Sequence, residues 1–352
     1  MAKDSSEAAQ LLAASLLISI ITSLASLITV FIIFSLNIIT FSAPNLTMWL
    51  LLTPIGIIST GLSLSLRSFL HFHKEYRYFA STPIIFSLAY GFLALTLYYI
   101  WPSGLTLILC QILATLVVCV FIFQLLKSKG YLNETITIQR ITNAAVRKKQ
   151  YALISTPSSL LDGLSQALPI YFMAIAFNSI TVASYGIMIK IVIVPMRFIF
   201  SSISTLMLKI IHDEINSANR CRIFWQISCG LLVLIVLASQ LISNYADTIV
   251  DQFLGDEWSQ TIVVIETMCF ASLFGAAVSS LSNIFAATNR LQLGASWQVL
   301  YFTVTLVFFL YVVIKGNIPQ QIFFELLAIK ELVSYTIYFL LISFSVHKPK
   351  AS

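Results

Sequence analysis

Long apolar runs alternate with short polar breaks along the whole chain. Ten such runs lie at about 9–36, 47–68, 80–101, 104–126, 151–178, 181–211, 222–245, 260–288, 293–314 and 319–345. Each has about the 20 residues, or more, that an α-helix needs to cross roughly 30 Å of hydrocarbon at about 1.5 Å per residue. The pattern predicts an all-α polytopic membrane protein with about ten transmembrane helices, numbered here as segments one to ten. Residues 1–10 hold two acids against one Lys, and the apolar run behind them is longer than the core of a cleavable signal. Segment one is therefore expected to stay in the membrane.

The polar breaks carry the orientation. Lys3 precedes segment one, and Arg67, Lys74 and Arg77 fall at the end of segment two and beyond it. Lys127, Lys129, Arg140, Arg147, Lys148 and Lys149 follow segment four. Lys209, Arg220 and Arg222 close segment six, Arg290 follows segment eight, and Lys348 and Lys350 follow segment ten. The intervening breaks hold only Lys315, and the one after segment seven is acidic through Asp247, Asp251, Asp256 and Glu257. By the positive-inside rule both termini are expected in the cytoplasm, and in a bacterium the location is the inner membrane.

Composition narrows the function. Hydrophobic residues make up 59% of the 352 and charged residues 10%, with a mean hydropathy of +0.93. Soluble domains carry about a quarter charged residues, so little of this chain is left over for an extramembrane module. A net charge of +6 would suggest nucleic acid in a soluble chain; here it reflects topology, and no nucleic-acid partner is expected. There is no Walker A loop, nucleophile elbow, HExxH pair or Gly-rich cofactor loop, and Gly numbers only 12. The reading is of a non-enzyme without a cofactor. Cys110, Cys119, Cys221, Cys229 and Cys269 show no CxxC spacing, so neither a disulfide framework nor a metal is expected. His71 and His73, two residues apart, would point in different directions on a helix and do not read as a shared metal site.

The longest break divides the chain into residues 1–126 with four helices, a basic cytoplasmic linker at 127–150, and residues 151–352 with six. The linker is expected to lie on the anionic leaflet, partly as an amphipathic helix, or to be a solvated topogenic loop. Ser63-Leu64-Ser65 with Phe69 and Lys74 recurs loosely as Ser280-Leu281-Ser282 with Phe285 and Arg290. This displacement of six segments suggests a six-plus-six repeat lacking its first two helices.

Seven ionisable residues fall inside apolar runs: Asp162, Lys190, Arg197, Glu266, Glu325, Lys330 and Glu331. A charged Lys, Arg or Asp at a helix centre costs about 2.5–3.5 kcal/mol on insertion scales, so these are expected to face a polar cavity or each other. Lys190 and Asp162 fall near the bilayer midplane, while Glu266 and Glu325 are close enough to the outer surface to snorkel. Lys190 and Arg197 are seven residues apart and predict a cationic stripe on one helix face, with Pro195 bending the helix between them. Such a stripe suits phosphate; alternatively each cation pairs with Asp162, Glu325 or Glu331 as a bridge between helices. Small residues recur at Ser15, Ser19, Ser23 and Ser26 and again at Ser272, Ala276, Ser279 and Asn283. Both stripes read as close helix packing rather than substrate contact. Pro54, Pro83, Pro157 and Pro169 mark kinks. Two sequons occur, at Asn45-Leu46-Thr47 and Asn133-Glu134-Thr135, with no function attached.

Pro157 and Pro169 in segment five, Ser184-Tyr185-Gly186 leading to Lys190 and Pro195, Phe253-Leu254-Gly255-Asp256-Glu257-Trp258, and Ala286-Ala287-Thr288-Asn289-Arg290 together resemble the bacterial O-antigen or polysaccharide flippases. These form the Wzx type of the multidrug/oligosaccharidyl-lipid/polysaccharide exporter superfamily. Phe177-Asn178 stands where a Phe-Gly pair is expected. The resemblance implies the two-lobed exporter fold lacking its first two helices. It also implies transfer of an undecaprenyl-pyrophosphate-linked oligosaccharide, the O-antigen repeat unit, from the cytoplasmic to the periplasmic leaflet. Lys190, Arg197 and Lys330 would then hold the pyrophosphate, with Asp162, Glu331 and Glu325 serving coupling or charge balance. Membrane lipids, an O-antigen polymerase and a chain-length regulator would be partners. The alternatives are a drug or cation exporter of the same superfamily, an O-antigen polymerase or membrane glycosyltransferase, and a non-transporting assembly scaffold.

Overall fold

The computed structural model describes residues 5–35, 46–131, 146, 149–214, 217–288, 290–316 and 318–347. The predicted amphipathic linker helix and the sequon residues Asn45 and Asn133 lie outside the described residues. All regular structure within them is helical, and ten helical spans are long and apolar enough to cross a membrane. The chain divides into two compact units, residues 1–150 and 151–352.

The first unit contains α1 (Ser5–Ser35), α2 (Leu46–Phe72), α3 (Tyr76–Ile100) and α4 (Gly104–Ser128). Three-residue connections make α2, α3 and α4 successive hairpins. After Pro102, Ser103 caps α4, its hydroxyl accepting from the Thr106 amide at 3.3 Å. The serine stripe of α1 packs on α2, as the small residues predict. Ser23 donates to the Pro54 carbonyl at 2.8 Å, and Ser19 sits against Gly61, where any Cβ would collide with it. The tight core lies at one end of the unit, with Leu12, Leu66, Phe69, Leu70, Ile122 and Leu126 buried together.

The second unit runs α5 (Lys149–Ala176), α6 (Ser179–Met188), a π-helical turn (Ile189–Ile193), α7 (Val194–Asp213), α8 (Ser217–Asn244), α9 (Ala246–Phe253), a 3-10 turn (Asp256–Trp258), α10 (Ser259–Ser280), α11 (Asn283–Ala287), α12 (Leu291–Lys315) and α13 (Gln320–His347). Helix α10 is the hub, packing on α6, α7, α8 and α13. Val264, Ile265, Met268, Cys269, Leu273 and Ala277 are buried there. Gly275 admits the closest approach to α13, since a Cβ at that position would lie 2.7 Å from the Tyr335 ring. Elsewhere the apolar side chains point outward; Leu95 is 79% and Ile175 72% exposed, a surface that only a hydrocarbon solvent tolerates.

Three local departures from the sequence pattern have their cause in backbone chemistry. Segment six is not one α-helix: the Val194 amide donates to the Ile189 carbonyl across a widened turn, and Pro195, which has no N–H, comes at once. Segment eight is broken at 281–282, where the amides of Leu281 and Ser282 bond three residues back. The acidic break after segment seven is largely helical, α9 burying Ala246 and Val250 while Asp247 and Asp251 face out.

Candidate functional site

A cavity of about 640 Å³ opens within the second unit. It is built from the small-residue face of α10, and Ser272, Ala276, Ser279 and, after the break, Asn283 all line it. The stripe expected to serve packing is thus a cavity wall: small side chains leave room when no neighbouring helix fills the space. Asn283 is held in place by donating to the Ser204 hydroxyl on α7 at 2.8 Å. Arg197 contributes from α7, Gln166 from α5, Tyr185 from α6, Tyr301 from α12, and Glu331 and Tyr335 from α13.

The densest polar contacts are at the α12–α13 wall. Glu331 accepts from the Tyr301 hydroxyl, which lies 3.0 Å from both carboxylate oxygens. Lys330 donates to Glu331 at 2.9 Å, and its ammonium lies 4.3 Å from the centre of the Tyr301 ring. The Lys330 residue is 8% exposed. Adjacent residues on a helix diverge by about 100°, so this pair forms through the flexible lysine stem, with Tyr301 supplying both the hydroxyl and the ring face. Tyr335 packs on Tyr301 with ring centres 5.5 Å apart.

A smaller adjoining cavity of about 190 Å³ holds Asp162, which accepts from Gln166 at 2.9 Å, together with Gln298 and Tyr338. Ser282 lines both spaces. The side-chain oxygen of Gln298 is buried with no hydrogen-bond partner.

Of the residues singled out in the sequence, Arg197 and Glu331 share the larger cavity, Lys330 is drawn onto Glu331, and Asp162 lies in the adjoining space. Lys190 is exposed on the π-helical turn and is not part of the cavity lining, although Ile189 and Ile193 on either side of it are. The single-face stripe is therefore corrected. A π turn inserts the equivalent of one residue and rotates the helix beyond it by up to about 100°. Glu325 is exposed and accepts from Gln321 at 3.1 Å, and Glu266 is also exposed. Ion pairs form at Lys330–Glu331 and Lys129–Glu75, and among the described residues neither Lys190 nor Arg197 is bridged to an acid. No cluster of three metal-ligating side chains occurs among the described residues.

The tyrosines are the part of the site that sequence reasoning missed. Their signal was present: Trp297 with Tyr301, and Tyr335 with Tyr338, place phenolic groups at helical spacing inside apolar runs, where a buried hydroxyl needs a polar partner. Asn178, the departure from the expected Phe-Gly pair, is the N-cap of α6, its side chain accepting from the Thr181 amide at 2.9 Å.

No family model matches the sequence, and no curated protein is similar to it at a significant level. Solved structures are similar in fold. A point mutant of a MATE protein superposes with a TM-score of 0.66 at 13% identity, covering 97% of this chain and 83% of that one. A mutant of the Vibrio cholerae MATE transporter VcmN gives 0.63 at 12%, covering 96% and 83%. The outward-facing conformation of a multidrug resistance MATE family transporter of the MOP superfamily gives 0.59 at 13%, covering 97% and 82%. The fold is thus that of the MATE exporters.

Proposed function

We propose that this protein is a membrane exporter whose substrate is an amphiphile with a polar, anionic head group. A pyrophosphate-linked oligosaccharide on a polyprenyl carrier, moved from the cytoplasmic to the periplasmic leaflet of a bacterial inner membrane, fits best. The carrying observation is the charge of the second-unit cavity. Its one lining carboxylate, Glu331, is already balanced by Lys330, while its one lining cation, Arg197, has no ion-pair partner among the described residues. Such a cavity has a net affinity for anions, and a guanidinium offers phosphate a bidentate fork. The remaining polar lining of hydroxyls, Asn283 and Gln166 suits a glycan, and Tyr185 and Tyr335 offer ring surface for sugars to pack on.

The task such a protein performs is to carry a hydrated head group through about 30 Å of hydrocarbon while the lipid tail stays in the bilayer. A polar cavity opening alternately to each side performs it without exposing charge to lipid. In this reading residues 1–126 and 151–352 are the two lobes, and Arg197 holds the phosphate. Asp162 and Glu331 are the groups available to take up a proton during the cycle. The protein makes and breaks no bond of its substrate.

A second reading, export of cationic drugs, draws on the fold and on Tyr185 and Tyr335, whose ring surface also binds cations. The two separate in proteoliposomes. With a fluorescent pyrophosphate-linked saccharide lipid as cargo, the wild type should transfer it and Arg197→Ala should reduce the rate at least tenfold, the loss of one charge-assisted contact of about 1.5–3 kcal/mol. Efflux of ethidium by the wild type, unaffected by Arg197→Ala and unaccompanied by lipid transfer, would give the second reading precedence.

A further inference from the structure

The first unit holds a separate cavity of about 640 Å³ between α1 and α2, at the end of α2 that the positive-inside rule assigns to the cytoplasm. Its walls are two-sided. Leu11, Leu64 and Phe72 provide an apolar slot open along the helices, while His71, Lys74 and Ser68 gather at the end of the span Leu50–Phe72, the depth of lipid head groups.

Among the described residues that line the cavity, His71 and Lys74 are basic and none is acidic. Glu75 is the nearest acid in sequence, but it is bound to Lys129 and accepts from the Tyr131 hydroxyl at 3.0 Å. Lys74 has no ion pair among the described residues. Its backbone is also unusual. Lys74 has φ +58°, the sole positive value at a non-glycine among the described residues, at the position just beyond α2 where glycine is the common choice. The helix closes there through Glu75 N–H to the Leu70 carbonyl at 3.0 Å and Lys74 N–H to the His71 carbonyl at 3.1 Å. A lysine in this conformation costs about 1–2 kcal/mol that glycine avoids. His71 is exposed at the cavity, its ring edge-on to Tyr76 and Phe79 at 5.5 and 5.7 Å.

We infer that this cavity binds the head group of an anionic glycerophospholipid. The phosphodiester sits against Lys74 and His71, within reach of the Ser68 hydroxyl, and one acyl chain lies along Leu11, Leu64 and Phe72. Apolar walls ending in basic groups at head-group depth are the general form of a phospholipid site. The site is distinct from the second-unit cavity and does not depend on what that cavity transports.

The test uses the full-length protein in detergent, with retained lipid counted by native mass spectrometry during titration with phosphatidylglycerol or phosphatidylcholine. Phosphatidylglycerol should be retained in preference, and Lys74→Gly should weaken its binding about fivefold, the effect of one cation near an anionic surface. Lys74→Arg should keep it. Because glycine relieves the backbone, Lys74→Gly should unfold at the wild-type temperature or above, which separates lost binding from lost folding. His71→Gln, which leaves that backbone untouched, should weaken binding in the same direction. Equal retention of the two lipids, or unchanged phosphatidylglycerol binding in Lys74→Gly and His71→Gln, overturns the inference. So does competition by millimolar inorganic phosphate that abolishes lipid retention, since the site would then recognise the free anion and owe nothing to the acyl slot.

Discussion

Removing the carboxylate of Glu331 should destabilise the protein far more than removing the carboxylate and its lysine together. Glu331→Gln leaves the Lys330 ammonium, in a residue 8% exposed, without its anionic partner, facing a neutral amide oxygen and the Tyr301 ring face at 4.3 Å. Stranding one partner of a buried pair costs about 3–5 kcal/mol; the ring contact is present before and after and offsets none of it, while the amide oxygen that Gln keeps holds the loss to about 3 kcal/mol. The Lys330→Met, Glu331→Gln double variant buries no charge and keeps a side chain that can accept from Tyr301, so it should recover most of that loss. The Lys330→Met single variant should be milder, because Glu331 keeps the Tyr301 hydroxyl and borders the cavity. Unfolding free energies of the four proteins, measured by titration with sodium dodecyl sulfate, should give a coupling of about 2 kcal/mol or more. Additive losses would refute the claim that these side chains form one unit.

The same geometry sets three further outcomes. Gly275→Ala places a methyl group 2.7 Å from the Tyr335 ring and should cost about 1–3 kcal/mol in the same unfolding assay, an effect removed when Tyr335 is also truncated to Ala. Asn178→Ala deletes the cap of α6 and should cost about 1 kcal/mol, whereas Asn178→Asp should be close to neutral. At the end of α4, burial lowers the pKa of His73, which stacks on Tyr131 at 4.0 Å, against a smaller raising effect of Glu75. The pKa of Glu75 is lowered chiefly by the hydrogen bond it accepts from Lys129. Both groups hold fewer protons folded than unfolded, so their contribution is complete above their ordinary values, 6.5 for His73 and 4.5 for Glu75. It is lost as pH falls through the lower folded ones. Protection factors of the amides around Tyr131, each rate taken relative to intrinsic exchange at the same pH, should therefore fall on acidification below pH 6.5, and His73→Phe should suppress the part of the fall that precedes the titration of Glu75.

The ten helices were legible because a bilayer leaves little choice: each crossing needs about 20 apolar residues with every backbone group paired inside the helix. The fold-level reading stands in the structure, including the α1–α2 packing that Ser19, Ser23 and Gly61 make possible. The site was legible only as an inventory of charges, because hydropathy reports how deep a residue sits and not which way it faces. Direction is set by single backbone events that apolar composition hides. The π turn ahead of Pro195 separates Lys190 from Arg197, and the break at 281–282 places Asn283 beside Ser204.

The two small-residue stripes make the same point from opposite sides. Ser15, Ser19, Ser23 and Ser26 on one helix and Ser272, Ala276, Ser279 and Asn283 on another have the same spacing and similar size, yet the first meets a neighbour and the second borders a cavity. What separates them is the partner. Opposite Ser19 stands Gly61, which lets α2 come close; beside the α10 stripe Tyr335 packs on Gly275, and Arg197 and Tyr301 line the space that the stripe leaves. A stripe of small residues thus states only that room exists. Whether a helix or a ligand occupies it is decided by bulk on a different segment, a property of the pair that no single run of sequence contains.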